Sequence, residues 1–287
     1  MRPQIVLFGD SITEQSFRSG GWGSSLANTY SRKADVLVRG YGGYNTRWAL
    51  FLLTHIFPLN STKPPAATTI FFGANDAALL GRNSERQHHQ VHIVPFPLSI
   101  EFPPLPICRI ICCYNITSSH FVAVSWIGAA ANSPFVHSSG FSTIGTSDNF
   151  SECSPAMLVV LITPPPVDEE GRKEYAKSLY GEKAMQFPER TNEMAGVYAR
   201  QCVELAKDLG IHAIDLWSKM QGTDGWQKKF LSDGLHLTPE GNAVVHEEVV
   251  RVFSEAWLSA ADMPYDFPHH SEIDGKNPEK AFLQKCL

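Results

Sequence analysis

The chain has 287 residues, of which 43% are hydrophobic and 18% are charged, as is typical of a globular protein with a substantial core. The length allows one large α/β domain or two small ones. The formal net charge of −5 and the lack of any Lys/Arg run give no basic footprint for nucleic acid, so no nucleic-acid partner is expected.

Short apolar runs rich in Val, Ile, Leu and Phe predict strands that are covered on both faces. The four clear runs are residues 4–8, 35–39, 68–72 and 157–163. A weaker fifth candidate, residues 213–216, comes shortly after Gly210, a residue type that often ends a helix.

Stretches with helical apolar spacing alternate with these runs, at residues 22–33, 46–57 and 193–209. A last helix is predicted after Leu237, with Thr238 as its N-cap and Pro239 as its first residue. This alternation predicts a parallel sheet with helices on both faces. Functional sites in such folds gather beyond the carboxyl ends of the strands.

A serine, a histidine and a carboxylate lie in loops next to the predicted strands and helices. Ser11 comes directly after the first predicted strand, and Asp233 and His236 come just before the last helix. A serine hydroxyl needs a base to become nucleophilic, and a carboxylate can orient that base. Each segment also has an ordinary interpretation, as a turn or a helix cap for Ser11 and as a surface loop for the other two. Asp10 is a competing carboxylate, for which we expect a local role in fixing the loop around Ser11.

Two further positions follow the second and third predicted strands. Gly43 can present its backbone N–H, and Asn75 can present its side-chain amide. Together with the N–H of Ser11 they give three donors for the oxyanion of a tetrahedral intermediate. A plain turn at Gly43 and a helix cap at Asn75 are the alternatives.

The stretch from residue 89 to 151 carries almost no charge and has no sustained helical period. It could be a membrane segment, an ordered lid or a poorly ordered insertion, and its composition favours the last; no stable membrane span is expected. From residue 264 the chain is rich in Pro and charge, which predicts an extended arm over the domain surface, 264–287. No signal peptide is apparent and the six cysteines form no compact secreted framework, so a cytoplasmic location is predicted.

Histidine clusters invite a metal interpretation. They are His88, His89 and His92, and the pair His269 and His270. They lack carboxylates at ligand spacing, so no metal and no other cofactor is expected.

The motifs carry a family resemblance when they are taken together. Four blocks occur in this order: Gly9-Asp10-Ser11, then Gly43, then Gly73-x-Asn75-Asp76, then Asp233-x-x-His236. This set resembles the GDSL/SGNH hydrolases. The runs 39–47 and 163–166 look like the isoamyl-acetate-hydrolysing esterase branch, particularly its plant members. The resemblance covers roughly residues 2–88 and 152–275.

The resemblance implies a single domain, 1–287, folded as a three-layer α/β/α sandwich with a five-stranded, flavodoxin-like parallel sheet. It implies Ser11 as nucleophile, His236 as base and Asp233 as the residue that orients it, with Ser11, Gly43 and Asn75 forming the oxyanion hole. The implied reaction is hydrolysis of small or short-acyl esters through an acyl-serine, without cofactor. A carbohydrate O-acetylesterase is the alternative. An inactive or unstable isoform, acting if at all as a binding protein, is the alternative of another class.

Two departures from the family pattern stand out. Val38 replaces an asparagine that many relatives have, which predicts looser support for the loop that carries Gly43. Residues 89–151 replace the charged amphipathic helix that usually joins the third and fourth strands. Their low charge and abrupt borders suggest the hypothesis of translated non-coding sequence, as from a retained intron.

Overall fold

A computed structural model of the chain describes residues 2–58, 61–82, 84 and 157–283. The predicted insertion at 89–151 lies outside the described residues, as do His88, His89 and His92 and the last four residues of the predicted arm. Within the described ranges, every helix is too short or too polar to cross a membrane.

Five parallel strands form one sheet in the order β2-β1-β3-β4-β5. Their bounds are β1 Gln4–Gly9, β2 Asp35–Gly40, β3 Ala67–Phe71, β4 Leu158–Ile162 and β5 His212–Ile214. The predicted five-stranded parallel sheet is therefore confirmed. The last strand lies slightly earlier than predicted, because β5 ends at Ile214 and Leu216 already begins a helix.

The described helices are α1 Ser11–Glu14, α2 Trp22–Thr29, α3 Thr46–Leu50, α4 Leu53–Ile56, α5 Glu169–Tyr180, α6 Asn192–Leu209, α7 Leu216–Gln221, α8 Trp226–Phe230, α9 Pro239–Ala256 and α10 Lys280–Leu283. Single 3₁₀ turns cover Gln15–Phe17, Gly181–Lys183 and His270–Glu272. The start of α9 is as predicted, since the Thr238 hydroxyl accepts the N–H of Gly241 at 3.1 Å.

Two predicted helices are shorter than their apolar spacing suggested. The helix predicted over 22–33 ends at Thr29, and Arg32 adopts φ +63°, so a right-handed helix could not have continued to residue 33. The helix predicted over 46–57 is split into α3 and α4 by a turn at Phe51 and Leu52. The end of α6 agrees with the prediction, since Gly210 follows it with φ +65°.

Alternating side chains of β1 build the cores on the two faces of the sheet. Ile5 and Leu7 lie in one cluster, with residues of α2 and α9. Val6 and Phe8 lie in the other, with residues of α3, α4 and the second half of α6. The three-layer α/β/α sandwich is thus confirmed.

The strand order reverses direction at β1, since the chain adds β2 on one side of it and β3 on the other. A crevice forms at such a switch point, outside the carboxyl ends of the strands. Ser11 follows β1, Gly43 follows β2 and Asn75 follows β3, so the three loops meet at this edge.

The segment after residue 264 runs back to the beginning of the chain. The Asp266 carboxylate accepts from Arg2 Nε at 2.7 Å and from Arg32 Nε at 3.3 Å. These ion pairs fasten the segment beside the start of β2, where Arg2 also contacts Asp35.

Candidate active site

The loop after β1 is shaped by close backbone contacts. A Cβ atom on Gly9 would lie 2.5 Å from the carbonyl oxygen of Phe71, so the strand end tolerates only glycine. Asp10 is fully buried, and its Oδ1 accepts the N–H of Ile12 at 3.0 Å. Asp10 therefore caps α1 and fixes Ser11 as the first residue of that helix, a local role of the kind expected from the sequence.

A continuous hydrogen-bonded chain joins the predicted serine, histidine and aspartate. Ser11 Oγ lies 2.9 Å from His236 Nε2, and His236 Nδ1 lies 2.7 Å from Asp233 Oδ2. An ionised carboxylate can only accept hydrogen bonds, so it places the imidazole proton on Nδ1 and leaves Nε2 to accept from the serine.

The environment of Asp233 keeps it ionised. Burial alone would raise the pKa of Asp233, but the hydrogen bonds and charge of His236, together with the nearby Arg172 guanidinium, lower that pKa below its ordinary value. The carboxylate that faces the imidazole thus carries its negative charge across the neutral pH range.

The loop that carries Asp233 and His236 is closed on itself. Leu231 and Leu237 form an antiparallel bridge, and the Ser232 N–H donates to the His236 carbonyl at 2.8 Å. Gly234 sits at the turn with φ +82°, a left-handed conformation that favours glycine. This closure presents both side chains on the same side of the loop.

Asn75 is 4% exposed, and its amide is held from both ends. Its Oδ1 accepts from Arg190 Nη2 at 2.9 Å, and its Nδ2 donates to the Tyr44 carbonyl at 2.9 Å. In this orientation the amide oxygen faces a guanidinium, which donates, and the amide nitrogen faces a carbonyl, which accepts. Because an amide nitrogen has two hydrogens, one remains after the bond to Tyr44.

The loop after β2 carries Gly43, which adopts φ +79°. The Gly42 N–H donates to Glu14 Oε2 at 2.6 Å, and the Thr46 hydroxyl donates to Asp76 Oδ1 at 2.5 Å. Burial raises the pKa of Asp76 to about 6. Val38 packs against the apolar core, and Glu14 and Asp76 supply hydrogen bonds to this loop.

One cavity of about 360 Å³ brings these groups together. Ser11, Gly43, Asn75 and His236 all line it. The far wall consists of side chains from α5 and from the loop before α6. Its apolar and aromatic members are Tyr175, Leu179, Tyr180, Met185, Phe187 and Pro188.

Three charged residues that line the cavity belong to no sequence motif that would have predicted their place in the site. Arg172 Nη1 lies 3.1 Å from Asp233 Oδ2, and Arg172 and Arg190 both pair with Oε1 of Glu189. Burial alone would raise the pKa of Glu189, but Arg190, the Ser84 hydroxyl and Arg172 lower it. Charged residues are typical of a solvated surface, so sequence reasoning missed the burial of Arg172 and Arg190 and the pairing of both with Glu189.

Potential metal ligands do not gather in the part of the chain that the structure describes. No group of three or more His, Cys, Asp or Glu side chains is placed there to hold a metal ion. The His269 and His270 rings have centroids 4.1 Å apart and are tilted by 42° to each other, and His269 Nδ1 lies 2.8 Å from Ser271 Oγ.

Several known proteins similar to this chain are named as esterases or lipases. The family model for the GDSL-like lipase/acylhydrolase family matches residues 7–244. A GDSL esterase/lipase of Arabidopsis thaliana is 60% identical over 287 residues, covering 100% of both chains. The isoamyl acetate-hydrolyzing esterase 1 homolog of Homo sapiens is 35% identical over 98% of this chain and 92% of that protein.

A solved structure agrees in fold. The lipase/acylhydrolase from Enterococcus faecalis superposes with a TM-score of 0.50 at 20% identity, over 89% of this chain and 97% of that one. At this level of identity the match supports the fold alone. The family match over most of the chain, and relatives that align along its whole length, confirm the resemblance: the chain belongs to the GDSL-like lipase/acylhydrolase family and is a hydrolase that acts on esters.

Proposed function

We propose that the chain hydrolyses small, short-acyl carboxylic esters through an acyl-serine intermediate, with Ser11 as the nucleophile. One observation carries this proposal: the hydrogen-bonded chain from Ser11 Oγ through His236 to Asp233 opens into a cavity that Gly43 and Asn75 also line. The nucleophile, its base and the oxyanion donors therefore face one space in which an ester could sit.

In the first half of the reaction, Ser11 Oγ attacks the ester carbonyl carbon while its proton passes to His236 Nε2. The carbonyl oxygen becomes an oxyanion, which the N–H groups of Ser11 and Gly43 and the Asn75 amide stabilise. The tetrahedral intermediate then expels the alcohol, which takes the proton from Nε2. The acyl group is left on Ser11.

The second half repeats this chemistry with water. His236 Nε2 removes a proton from a water molecule as the water attacks the acyl carbon. Collapse of the second intermediate releases the carboxylic acid and returns the proton to Ser11 Oγ. Asp233 keeps Nδ1 protonated throughout and stabilises the imidazolium that forms in each half.

The cavity supports a preference for small substrates. Its volume of about 360 Å³ is near the lower end for ligand pockets. Leu179, Met185 and Phe187 offer an apolar surface for the alkyl part of an ester. Isoamyl acetate, which the human relative's name specifies, combines a two-carbon acyl group with a branched apolar alcohol and is the first substrate to test.

The test compares the full chain with its Ser11→Ala variant on p-nitrophenyl acetate and isoamyl acetate. We expect kcat/KM to fall at least roughly 10³-fold, because the nucleophile is lost. A fluorophosphonate probe should add to the serine of the parent chain only. Ser218→Ala is the matched control, since Ser218 is exposed on α7 and does not line the cavity. Equal rates for the parent chain and Ser11→Ala would refute the proposal and favour an inactive isoform.

The same assay decides the substrate class. A series of acyl chains from acetate to octanoate tests the short-acyl preference, and an acetylated xylo-oligosaccharide tests the carbohydrate alternative. Faster release of acetate from the sugar than from isoamyl acetate would favour an O-acetylesterase. Preferential cleavage of the longest chains would instead place the enzyme in lipid degradation.

We also propose that the protein acts in the cytoplasm. Cysteine usage supports this proposal, since the six cysteines are not arranged as a compact secreted framework. Microscopy of a fluorescent fusion, with the tag placed in turn at either end, tests it. Accumulation in the secretory pathway would contradict it.

A further inference from the structure

A row of paired charged side chains connects the Asp233 carboxylate to the Asn75 side-chain amide. Asp233 Oδ2 lies 3.1 Å from Arg172 Nη1, and Arg172 Nη2 donates to Glu189 Oε1. The same Glu189 oxygen accepts from Arg190 Nη1 at 2.6 Å. Arg190 Nη2 in turn donates to Asn75 Oδ1 at 2.9 Å. We call Arg172, Glu189 and Arg190 the arginine–glutamate link.

The two arginines of the link are buried, Glu189 is largely shielded from solvent, and the charges balance. The side chains of Arg172, Glu189 and Arg190 are 9%, 19% and 3% exposed. With Asp233, the cluster holds two guanidinium groups and two carboxylates. A buried charge that loses its partner is strongly destabilised, so each member constrains the position of the next. Each guanidinium is planar and its donors have a fixed geometry, so it also constrains the orientation of the groups that it binds.

At the oxyanion end, Arg190 grips two consecutive residues of the loop after β3. Its Nε donates to the Ala74 carbonyl at 2.7 Å, while its Nη2 donates to Asn75 Oδ1. A flipped Asn75 amide would turn its NH₂ group toward the guanidinium, placing donor against donor. Arg190 therefore selects the amide orientation in which Nδ2 donates to Tyr44 and keeps a second hydrogen for a ligand.

At the acid end, Arg172 contacts both the side chain and the backbone of Asp233. Its Nη1 lies 3.1 Å from Oδ2 and 3.3 Å from the Asp233 carbonyl oxygen. Asp233 Oδ2 is the atom that also accepts from His236 Nδ1. Arg172 thereby holds Asp233 Oδ2 in place, and this oxygen in turn orients the His236 imidazole.

We propose that the arginine–glutamate link positions Asp233 and Asn75 relative to each other, so that base orientation and oxyanion stabilisation are set by one rigid unit. The inference rests on the proposed function, which assigns those two residues their roles. Arg172, Glu189 and Arg190 act here as positioning residues, through Asp233 and Asn75. Because all three also line the cavity, the test must separate positioning from direct contact with the substrate.

A double-mutant cycle makes that separation at the oxyanion end. Arg190→Gln is measured in the parent chain and in an Asn75→Ala background, with p-nitrophenyl acetate as substrate. We expect Arg190→Gln to lower kcat roughly 10- to 100-fold in the parent chain with little change in KM. In the Asn75→Ala background the same substitution should cost less than about threefold, since the group that it positions is gone. A second cycle, with Arg172→Gln and Asp233→Asn, tests the acid end in the same way.

Equal fold losses in both backgrounds, or a change confined to KM, would overturn the positioning role. Arg251→Gln is the control, because it removes a guanidinium that pairs with Glu248 and Glu255 on α9 and leaves the cavity untouched. If Arg190→Gln does not fold, as judged by its thermal transition, the cycle is run with Arg190→Lys, which keeps the charge and loses the fork.

Failure of this inference differs from failure of the proposed function. An active Ser11→Ala variant would refute the proposed function and remove the basis for the link. An inactive Ser11→Ala variant, combined with equal losses in the two backgrounds, would refute only the positioning role.

Discussion

Asp233 holds His236 at two points with one carboxylate. Its Oδ2 lies 2.7 Å from the ring Nδ1, and its Oδ1 accepts the backbone N–H of His236 at 2.8 Å. The ring and the backbone of the histidine are therefore anchored to the same group. A spacing of three residues in a closed turn suffices for this arrangement.

Replacing Asp233 by asparagine should separate the two contacts. The amide oxygen can still accept the backbone N–H, but the amide NH₂ then faces Nδ1 and favours the imidazole tautomer with its proton on Nε2. That tautomer cannot accept the Ser11 proton. We expect Asp233→Asn to lower kcat roughly 10³- to 10⁴-fold while the fold persists.

Steady-state kinetics with p-nitrophenyl acetate and a thermal unfolding scan measure this prediction. Asp215→Asn is the matched control. Asp215 is the exposed N-cap of α7, and an asparagine at this position can cap the helix equally well. A loss of less than about tenfold for Asp233→Asn would mean that His236 does not depend on the carboxylate for its tautomer.

The amide of Asn75 should matter for the transition state more than for substrate binding. Asn75→Ala removes the proposed oxyanion donor, so we expect kcat to fall roughly 10²- to 10³-fold with KM nearly unchanged. Asn28→Ala, at an exposed position on α2, should leave both constants unchanged. A rise in KM with kcat preserved would instead assign the amide to ground-state binding.

The turn at Gly234 has no room for a side chain, so any substitution there should destabilise the fold. A Cβ atom there would lie 2.4 Å from the Asp168 carbonyl oxygen and 2.6 Å from the Arg172 nitrogen, both backbone atoms that cannot move aside easily. Gly234→Ala should therefore cost more than about 2 kcal/mol of the free energy of unfolding and also reduce kcat, because the loop with Asp233 shifts.

Gly225 provides the control for this substitution. It has φ +68°, and a Cβ atom there would meet no neighbouring atom within 4 Å, so Gly225→Ala carries only the cost of the left-handed backbone, about 1 kcal/mol. Urea unfolding of both variants gives the comparison. Equal losses of stability would show that the backbone contacts around Gly234 relax without cost.

Asp10 should make the stability of the fold depend on pH. Burial raises the pKa of Asp10 to about 7, outweighing the hydrogen bond from Ile12 that lowers it. Between about pH 4 and 7 the folded chain then holds a proton that the unfolded chain has released, so this group's contribution to stability falls as the pH rises through that window. The contribution is fully present only below the ordinary pKa of an aspartate.

Asp10→Asn removes this titration and can keep the cap to Ile12 through its amide oxygen. The stability of the variant relative to the parent chain should therefore increase by roughly 1 kcal/mol per pH unit across the window. Urea unfolding of the variant and of the parent chain at several pH values measures it. A difference that does not change with pH would mean that Asp10 titrates at the same pH in the folded and unfolded states.

The strand ends and the three residues that follow them in the site were predictable for a common physical reason. Runs of Val, Ile, Leu and Phe mark strands covered on both faces, and parallel strands end at the same edge of a sheet. Once β1, β2 and β3 are predicted, the positions of Ser11, Gly43 and Asn75 at one edge follow. Thr238 and Pro239 mark the start of α9 through capping chemistry that is local in sequence.

The arginine–glutamate link could not be predicted in this way. Arg172 belongs to a charged run that looks solvated, and its burial arises only when Glu189 and Asp233 approach from other parts of the chain. The left-handed backbone of Arg32 likewise could not be predicted, because arginine is not a residue type that favours this conformation. Local patterns predict elements, whereas these features depend on tertiary partners.

The hydrogen bond between Ser11 and His236 spans 225 residues of sequence. It can form only after β1 has joined the sheet and the loop before α9 has docked against it. Contacts of such long range form late in folding, because the entropy of closing a long loop must be offset first. Recovery of esterase activity during refolding therefore reports that the sheet and the loop before α9 have both folded. A growing polypeptide is expected to be inactive until His236, in the last quarter of the sequence, has been made.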